Sequence, residues 1–179
     1  MFFINKRIIA FYNSHRIAKS VRKTLLWIYV KKDLSKIGGK LGIDLAGGSM
    51  KTKRFFKQEK YICVDIDKNK LDMGKKKYPD VIVINKKIQD YLLISDNAKP
   101  DLLVCLQTFG YNNFFENSQI LETIKLMSNY LKPEGSMIFN IGHGFPEIDM
   151  IKNKLNSFLN KEFKSVKCIN YYSYFDENK

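Results

Sequence analysis

The chain has 179 residues, 31 Lys/Arg against 18 Asp/Glu, a net charge of +13, and 45% hydrophobic and 13% aromatic residues. This length suits one domain with its own core, and the composition excludes a disordered tail. The longest unbroken apolar run, Leu25–Val30, has six residues, well short of the ~20 that a membrane-spanning helix needs. Lys31-Lys32-Asp33 follows that run where a secretory leader would carry small residues. Cys63, Cys105 and Cys168 are widely separated, with no C-x-x-C. They fit neither a zinc ribbon nor a disulfide framework and suit a reducing cytoplasm. With only His15 and His143 present, no two-histidine metal motif can be written.

The charge is uneven. Residues 1–99 carry 23 Lys/Arg and 9 Asp/Glu, whereas residues 100–179 carry 8 and 9. A half of one sign points to an anionic partner: nucleic acid, a membrane surface or a phosphorylated substrate. Only Arg7, Arg16, Arg22 and Arg54 are arginine, and phosphate readers favour the planar arginine fork. A Lys/Asn/Ile-biased composition with plain solvated lysines is therefore the competing reading.

In chain order, residues 1–35 read as a basic helical lead-in. Ile17, Val21, Leu25 and Ile28 fall on one helical stripe, suited to packing on the domain or to lying on an anionic membrane. From residue 40 short apolar strands alternate with helical segments. Strands are predicted over Lys40–Ala46, Tyr61–Ile66, Val81–Ile84, Asp101–Leu106 and Met137–Ile141. Helices are predicted over Met50–Lys57, Lys68–Lys77, Glu116–Leu131 and Ile148–Leu159, and Ser165–Phe175 reads as an extended end. The alternation predicts one α/β domain over 1–179: a doubly wound, mostly parallel sheet with helices on both faces, its core over 40–175. In such sheets ligands bind beyond the carboxyl ends of the strands.

The first of those ends is Asp44-Leu45-Ala46-Gly47-Gly48-Ser49-Met50. A phosphate-binding G-x-x-x-x-G-K-S/T loop would need glycine at Leu45 and Met50, and a dinucleotide G-x-G-x-x-G does not match the spacing. An acid followed by a glycine-rich turn resembles instead the first motif, D/E-x-G-x-G-x-G, of the class I S-adenosylmethionine-dependent methyltransferases. The resemblance spans Lys40–Ile141 and implies a Rossmann-like three-layer αβα sandwich. It further implies S-adenosylmethionine as cofactor, with Asp44 near its ammonium end and Ala46, Gly47 and Gly48 against its ribose and carboxypropyl chain. Ala46 and Met50 replace two of the family's three glycines.

Asp65 ends the next strand, 21 residues after Asp44. A carboxylate there can accept both ribose hydroxyls, and the family has an acid at the same place, with Ile66 beside it at the cofactor. Asp67 reads as the N-cap of Lys68–Lys77. Asn85–Asp90 resembles the family's G-D-I-x-D segment, with Lys87 where the family has Asp and the Ile88 backbone N–H free to meet adenine. Leu106 and Gln107 resemble the fourth motif and would flank the cofactor. That stretch has no proline, unlike the D/N/S-P-P-Y/F of amino-N base methylases. Leu131-Lys132-Pro133-Glu134-Gly135 resembles the L-K-P-G-G before the family's fifth strand.

His143, after the last predicted strand before Ile148, is the histidine placed to act as a base, with Tyr111 a second candidate; for both, a solvated loop residue is the more common alternative. Cys105, inside an apolar strand, reads as a core residue. The implied activity is methyl transfer to a small-molecule or saccharide acceptor, with nucleic acid also open. The alternative is a non-catalytic module of the same fold that binds a polyanion through its basic half. The family's sheet usually ends in an antiparallel hairpin, and the ~20 residues left after the last helix allow one long strand or a very short pair.

Overall fold

The computed structural model describes residues 7–12, 19–93, 98–109, 117–141 and 148–170. Seven strands form one sheet: β1 (Arg7–Tyr12), β2 (Leu41–Leu45), β3 (Lys60–Asp65), β4 (Ile82–Asn85), β5 (Leu102–Phe109), β6 (Ser136–Ile141) and β7 (Ser165–Asn170). The helices are α1 (Lys19–Leu34), α2 (Lys68–Lys77), α3 (Ile88–Leu93), α4 (Asn117–Tyr130) and α5 (Ile148–Glu162). The strand order is β4-β3-β2-β5-β6-β1-β7, and every pair is parallel. The chain order reverses direction beside β2, so β2 and β5 flank the crevice where such sheets take ligands.

Alternating side chains divide the core between the two faces. Leu102, Val104 and Leu106 pack with Leu26, Val30 and Leu34 of α1, Leu71 of α2 and Met50. Leu103, Cys105, Phe109, Met137 and Phe139 pack with Tyr91 and Leu92 of α3, Ile120, Ile124 and Met127 of α4, and Leu155 and Leu159 of α5. Sheet strands buried on both sides read as continuous apolar runs, as Leu102–Leu106 and Met137–Phe139 do. At the opposite, amino end, Asp101 Oδ2 accepts the N–H groups of Lys40 (2.8 Å) and Leu41 (2.9 Å). Its Oδ1 pairs with Lys132 Nζ at 2.7 Å. The Leu131–Gly135 segment therefore fastens the start of β6 to the start of β5, far from the crevice.

Four sequence expectations change. Residues 1–35 are not a purely helical lead-in, because Arg7–Tyr12 forms β1 between β6 and β7. That strand is parallel to both neighbours, and among the described residues the end of the chain supplies one strand, β7, as the room after the last helix allowed. Of the expected stripe, Ile28 is 57% exposed and Ile17, Val21 and Leu25 lie outside the described side chains; among the described residues of α1 the buried apolar ones are Leu26, Val30 and Leu34, spaced by four. Asp33 on the same helix pairs with Lys167 of β7 at 3.1 Å. Met50–Lys57 is not a helix but a turn with a single 3-10 segment, Lys53–Phe55. Met50 has φ +58°, which a right-handed helix cannot continue, and the Thr52 hydroxyl is drawn to Asp44 instead of capping. Finally, α3 forms where only a strand exit was expected. Ile88, Tyr91 and Leu92 give it a buried face at i, i+3 and i+4.

Candidate functional site

The carboxyl ends of β2, β3 and β5 bring most of the expected residues to one place. The turn after β2 has a glycine-like backbone even where Ala46 and Met50 stand. Ala46, Gly48 and Met50, the three positions of D-x-G-x-G-x-G, have φ of +54°, +53° and +58°. Only glycine enters that region without steric cost. Two L-residues therefore hold a conformation that the surrounding contacts impose, and such strain concentrates at functional sites. Met50 does not fill the crevice: it is fully buried, and a Cβ built on Gly74 of α2 would lie 2.8 Å from its Cγ. Gly74 is the gap into which Met50 packs.

Gly47 donates its N–H to Val64 O at 3.3 Å. A Cβ there would lie 2.7 Å from Cys63 Sγ and 2.8 Å from Asp44 Oδ2, so position 47 tolerates nothing larger than glycine. Gly48 faces the other way. A Cβ on it would meet only Lys70 Cδ at 3.5 Å and Asp65 Oδ2 at 3.8 Å, which are ordinary contacts. Its N–H donates to Asp65 Oδ2 at 2.8 Å, and Asp65 Oδ1 accepts the N–H of Asp67 at 2.8 Å. Each oxygen of Asp65 thus takes one backbone donor and keeps a further lone pair for a ligand hydroxyl. Asn85 Nδ2 donates to the carbonyls of Asp65 and Ile66, 2.9 Å each, and fixes the exit of β3. Ile66, expected at the cofactor, is an apolar side chain 59% exposed beside this carboxylate.

Asp44, expected near the ammonium end of a cofactor, lies beneath the turn. It is 1% exposed, and its Oδ2 accepts the hydroxyls of Tyr61 at 2.7 Å and of Thr52. Burial pushes its carboxyl up to about 6; the Thr52 and Tyr61 hydroxyls oppose the rise and the Asp65 charge adds to it. Asp44 thus braces the turn and places a negative charge under it at neutral pH, without facing the crevice. Thr52 and Tyr61 were not among the expected site residues. The mark Thr52 leaves in the sequence is a small hydroxyl two residues after the turn, and Tyr61 looks like any strand aromatic.

Across the crevice, Gln107 is exposed and has φ +58°, interrupting the β5–β6 ladder between Cys105 and Phe109. Its N–H donates to Asn140 Oδ1 at 2.6 Å. Asn140 was also missed, although a fully buried amide in the apolar strand Met137–Ile141 is a visible irregularity. Leu106 is 7% exposed and lies on the α1–α2 face. Ile88 is buried and begins α3, so its N–H has no helical acceptor. Lys87 is exposed. Asp67 caps α2 as expected, accepting from the Lys70 N–H at 3.1 Å and pairing with Lys70 Nζ at 2.9 Å. Burial raises the Cys105 thiol to about 12, as befits a core residue. His143 and Tyr111 lie outside the described residues. Among the described residues no helix is long and apolar enough to cross a membrane, and no cluster of His, Cys, Asp and Glu could hold a metal ion.

No family model and no curated protein matches the chain. Solved structures do. An S-adenosylmethionine-dependent methyltransferase from Clostridium acetobutylicum is 20% identical, with a TM-score of 0.50 over 70% of this chain and 51% of that one. A ribosomal protein L11 methylase from Lactobacillus delbrueckii is 15% identical, with a TM-score of 0.55 over 79% of this chain and 69% of that one. An amino pentose methyltransferase from Micromonospora echinaspora, solved with S-adenosylmethionine bound, is 15% identical, with a TM-score of 0.54 over 75% and 61%. The chain spans about half the length of the Clostridium protein. The fold is that of the class I S-adenosylmethionine-dependent methyltransferases.

Proposed function

We propose that the chain binds S-adenosylmethionine at the ends of β2, β3 and β5 and transfers its methyl group to a small-molecule or saccharide acceptor of anionic character. One observation carries this reading. The three positions that line up with the glycines of the methyltransferase turn are left-handed in this chain, and the central one is hydrogen-bonded to the acid of the adjacent strand. When bound, the cofactor supplies an electrophilic methyl on a sulfonium. Asp65 accepts the ribose hydroxyls, Gly47 and Gly48 let the backbone approach the ribose and carboxypropyl chain, and Ile66 and the Ile88 N–H meet adenine. Asp44 supplies charge beneath the turn for the ammonium end, with Ala46 completing the turn above it. Leu106 and Gln107 border the transferred methyl.

Holding a nucleophile in line supplies much of the rate in such a transfer. A base is required only for an acceptor that arrives protonated, and His143, with Tyr111 second, is the group assigned to that step. The basic excess of residues 1–99, 23 Lys/Arg against 9 Asp/Glu, supports an acceptor of anionic character.

Titration calorimetry with S-adenosylmethionine and S-adenosylhomocysteine tests the cofactor. Micromolar binding that falls at least tenfold in Asp65→Asn is expected. No heat at millimolar ligand would remove the cofactor and leave the polyanion-binding module as the function. If cofactor binds, unchanged turnover in His143→Ala with a protonated acceptor would remove the base assignment.

A further inference from the structure

At the opposite end of the sheet, the amino ends of β3 and β4 open into a depression of about 560 Å³. Lys53, Lys60 and Lys77 line it together with Tyr61, Tyr78 and Ile82. Lys53 Nζ sits 5.2 Å from the centre of the Tyr61 ring, and Lys77 Nζ sits 5.3 Å from that of Tyr78. The ammonium groups are thus placed by ring faces. Glu59 and Asp80 share the rim, yet among the described residues neither they nor the three lysines form an ion pair. The two segments that meet here, 51–60 and 75–80, hold eight Lys/Arg against these two acids. Lys75 donates to Val81 O and so fixes the far lip. Apart from Tyr61, whose hydroxyl reaches Asp44 beneath the turn, none of these residues belongs to the crevice at the carboxyl ends.

We propose that this depression binds single-stranded nucleic acid through its phosphodiester backbone. A pocket of several hundred Å³ is large enough for one nucleotide, and the lysines continue past it along both segments, as a chain of phosphates requires and a lone anion does not. Single-strand binding combines a basic groove with aromatic side chains that meet the bases, and the half-buried Tyr78 ring is placed for that contact. The concave outline disfavours a membrane, which needs a broad convex or flat basic face with apolar anchors. The inference does not depend on methyl transfer, because the groove and the cofactor crevice lie at opposite ends of the same strands. The bound strand is here an anchoring partner and not the methyl acceptor.

Fluorescence anisotropy with a labelled single-stranded RNA of about twelve nucleotides, long enough to pass the groove, tests it. The protein is the full chain, alone and as two triple variants matched in charge. One is Lys53→Gln, Lys60→Gln, Lys77→Gln; the other is Lys154→Gln, Lys161→Gln, Lys164→Gln, on and beyond α5. The groove variant should lose at least about tenfold in affinity, and its log K against log salt slope should shrink by about 2, three phosphates at ~0.7 each. The α5 variant should keep both values. Equal losses in the two variants, RNA binding absent at low salt, or capture of phosphatidylserine vesicles in preference to RNA would each overturn the proposal. Circular dichroism of both variants excludes misfolding as the cause. Calorimetry with S-adenosylhomocysteine should give the same heat with and without RNA, so a failure of the cofactor reading remains separate from a failure of this one.

Discussion

Replacing Asp44 by Asn should make the folded chain more stable at neutral pH and the glycine turn a poorer ligand site. Burial raises the Asp44 carboxyl from 3.8 to about 6. At ~1.36 kcal/mol per unit, ionising it in the folded state costs about 3 kcal/mol relative to ionising it in the unfolded chain. The folded chain binds this proton more tightly than the unfolded chain. The contribution to stability is therefore fully present below about pH 4, declines through the interval up to about pH 6, and is gone above it. Asparagine keeps the shape and offers a carbonyl to the Tyr61 and Thr52 hydroxyls, but it does not ionise. Its own NH₂ group must be desolvated at ~1–2 kcal/mol, so the net gain at neutral pH should be about 1–2 kcal/mol. Urea unfolding of both proteins at several pH values between about 4 and 7.5 measures the difference, which should grow with pH across that interval. Calorimetry should show weaker S-adenosylhomocysteine binding in the variant. A variant less stable than the parent at pH 7.5, or a difference that does not change with pH, would refute the account of Asp44 as a destabilising brace.

Three further outcomes follow from the same turn. Tyr61→Phe removes the donor 2.7 Å from Asp44 Oδ2. It should raise the Asp44 titration further and cost ~1.5–3 kcal/mol at pH 8, with a smaller loss at pH 5, read by denaturant melts at both pH values. Ala46→Gly should stabilise by ~0.5–1 kcal/mol, since relief of a left-handed φ exceeds glycine's added chain entropy; a lower midpoint would contradict this. Met50→Ala should cost ~2–5 kcal/mol by emptying the space against Gly74, and Met50→Gly should be about 1 kcal/mol more stable than Met50→Ala. That reverses the usual order of the two residues, and thermal melts of the pair would reveal the usual order if position 50 were not left-handed.

The sequence made α2 and its Asp67 cap legible, because a cap, a charged periodic stretch and Tyr78-Pro79 are all local signals. The strands β2 to β6 were legible for a similar reason, as short apolar runs bounded by polar turns. What the sequence concealed was set at a distance. The stretch Arg7–Tyr12 is a strand only because Ser136–Ile141 and Ser165–Asn170 lie on either side of it. The turn after β2 passes for the start of a helix until Met50 is seen to be held left-handed by its place against Gly74. Likewise the type of residue at position 44 identified an acid at the site. Its direction, inward to Tyr61 and Thr52, depends on two side chains outside any motif.

Placing Arg7–Tyr12 inside the sheet has a consequence for the order of assembly. Leu41 of β2 pairs with Lys60 of β3 across a short connection, whereas Arg7 pairs with Ser136 across about 130 residues. Closing loops of those lengths costs about 2.5 and about 4 kcal/mol, respectively. During synthesis Arg7–Tyr12 must wait until about 130 further residues have been made before either neighbour exists. Strand β7 in turn is joined to the sheet through that strand. The β1–β7 corner should therefore be the last part of the sheet to close and the first to exchange its amide hydrogens.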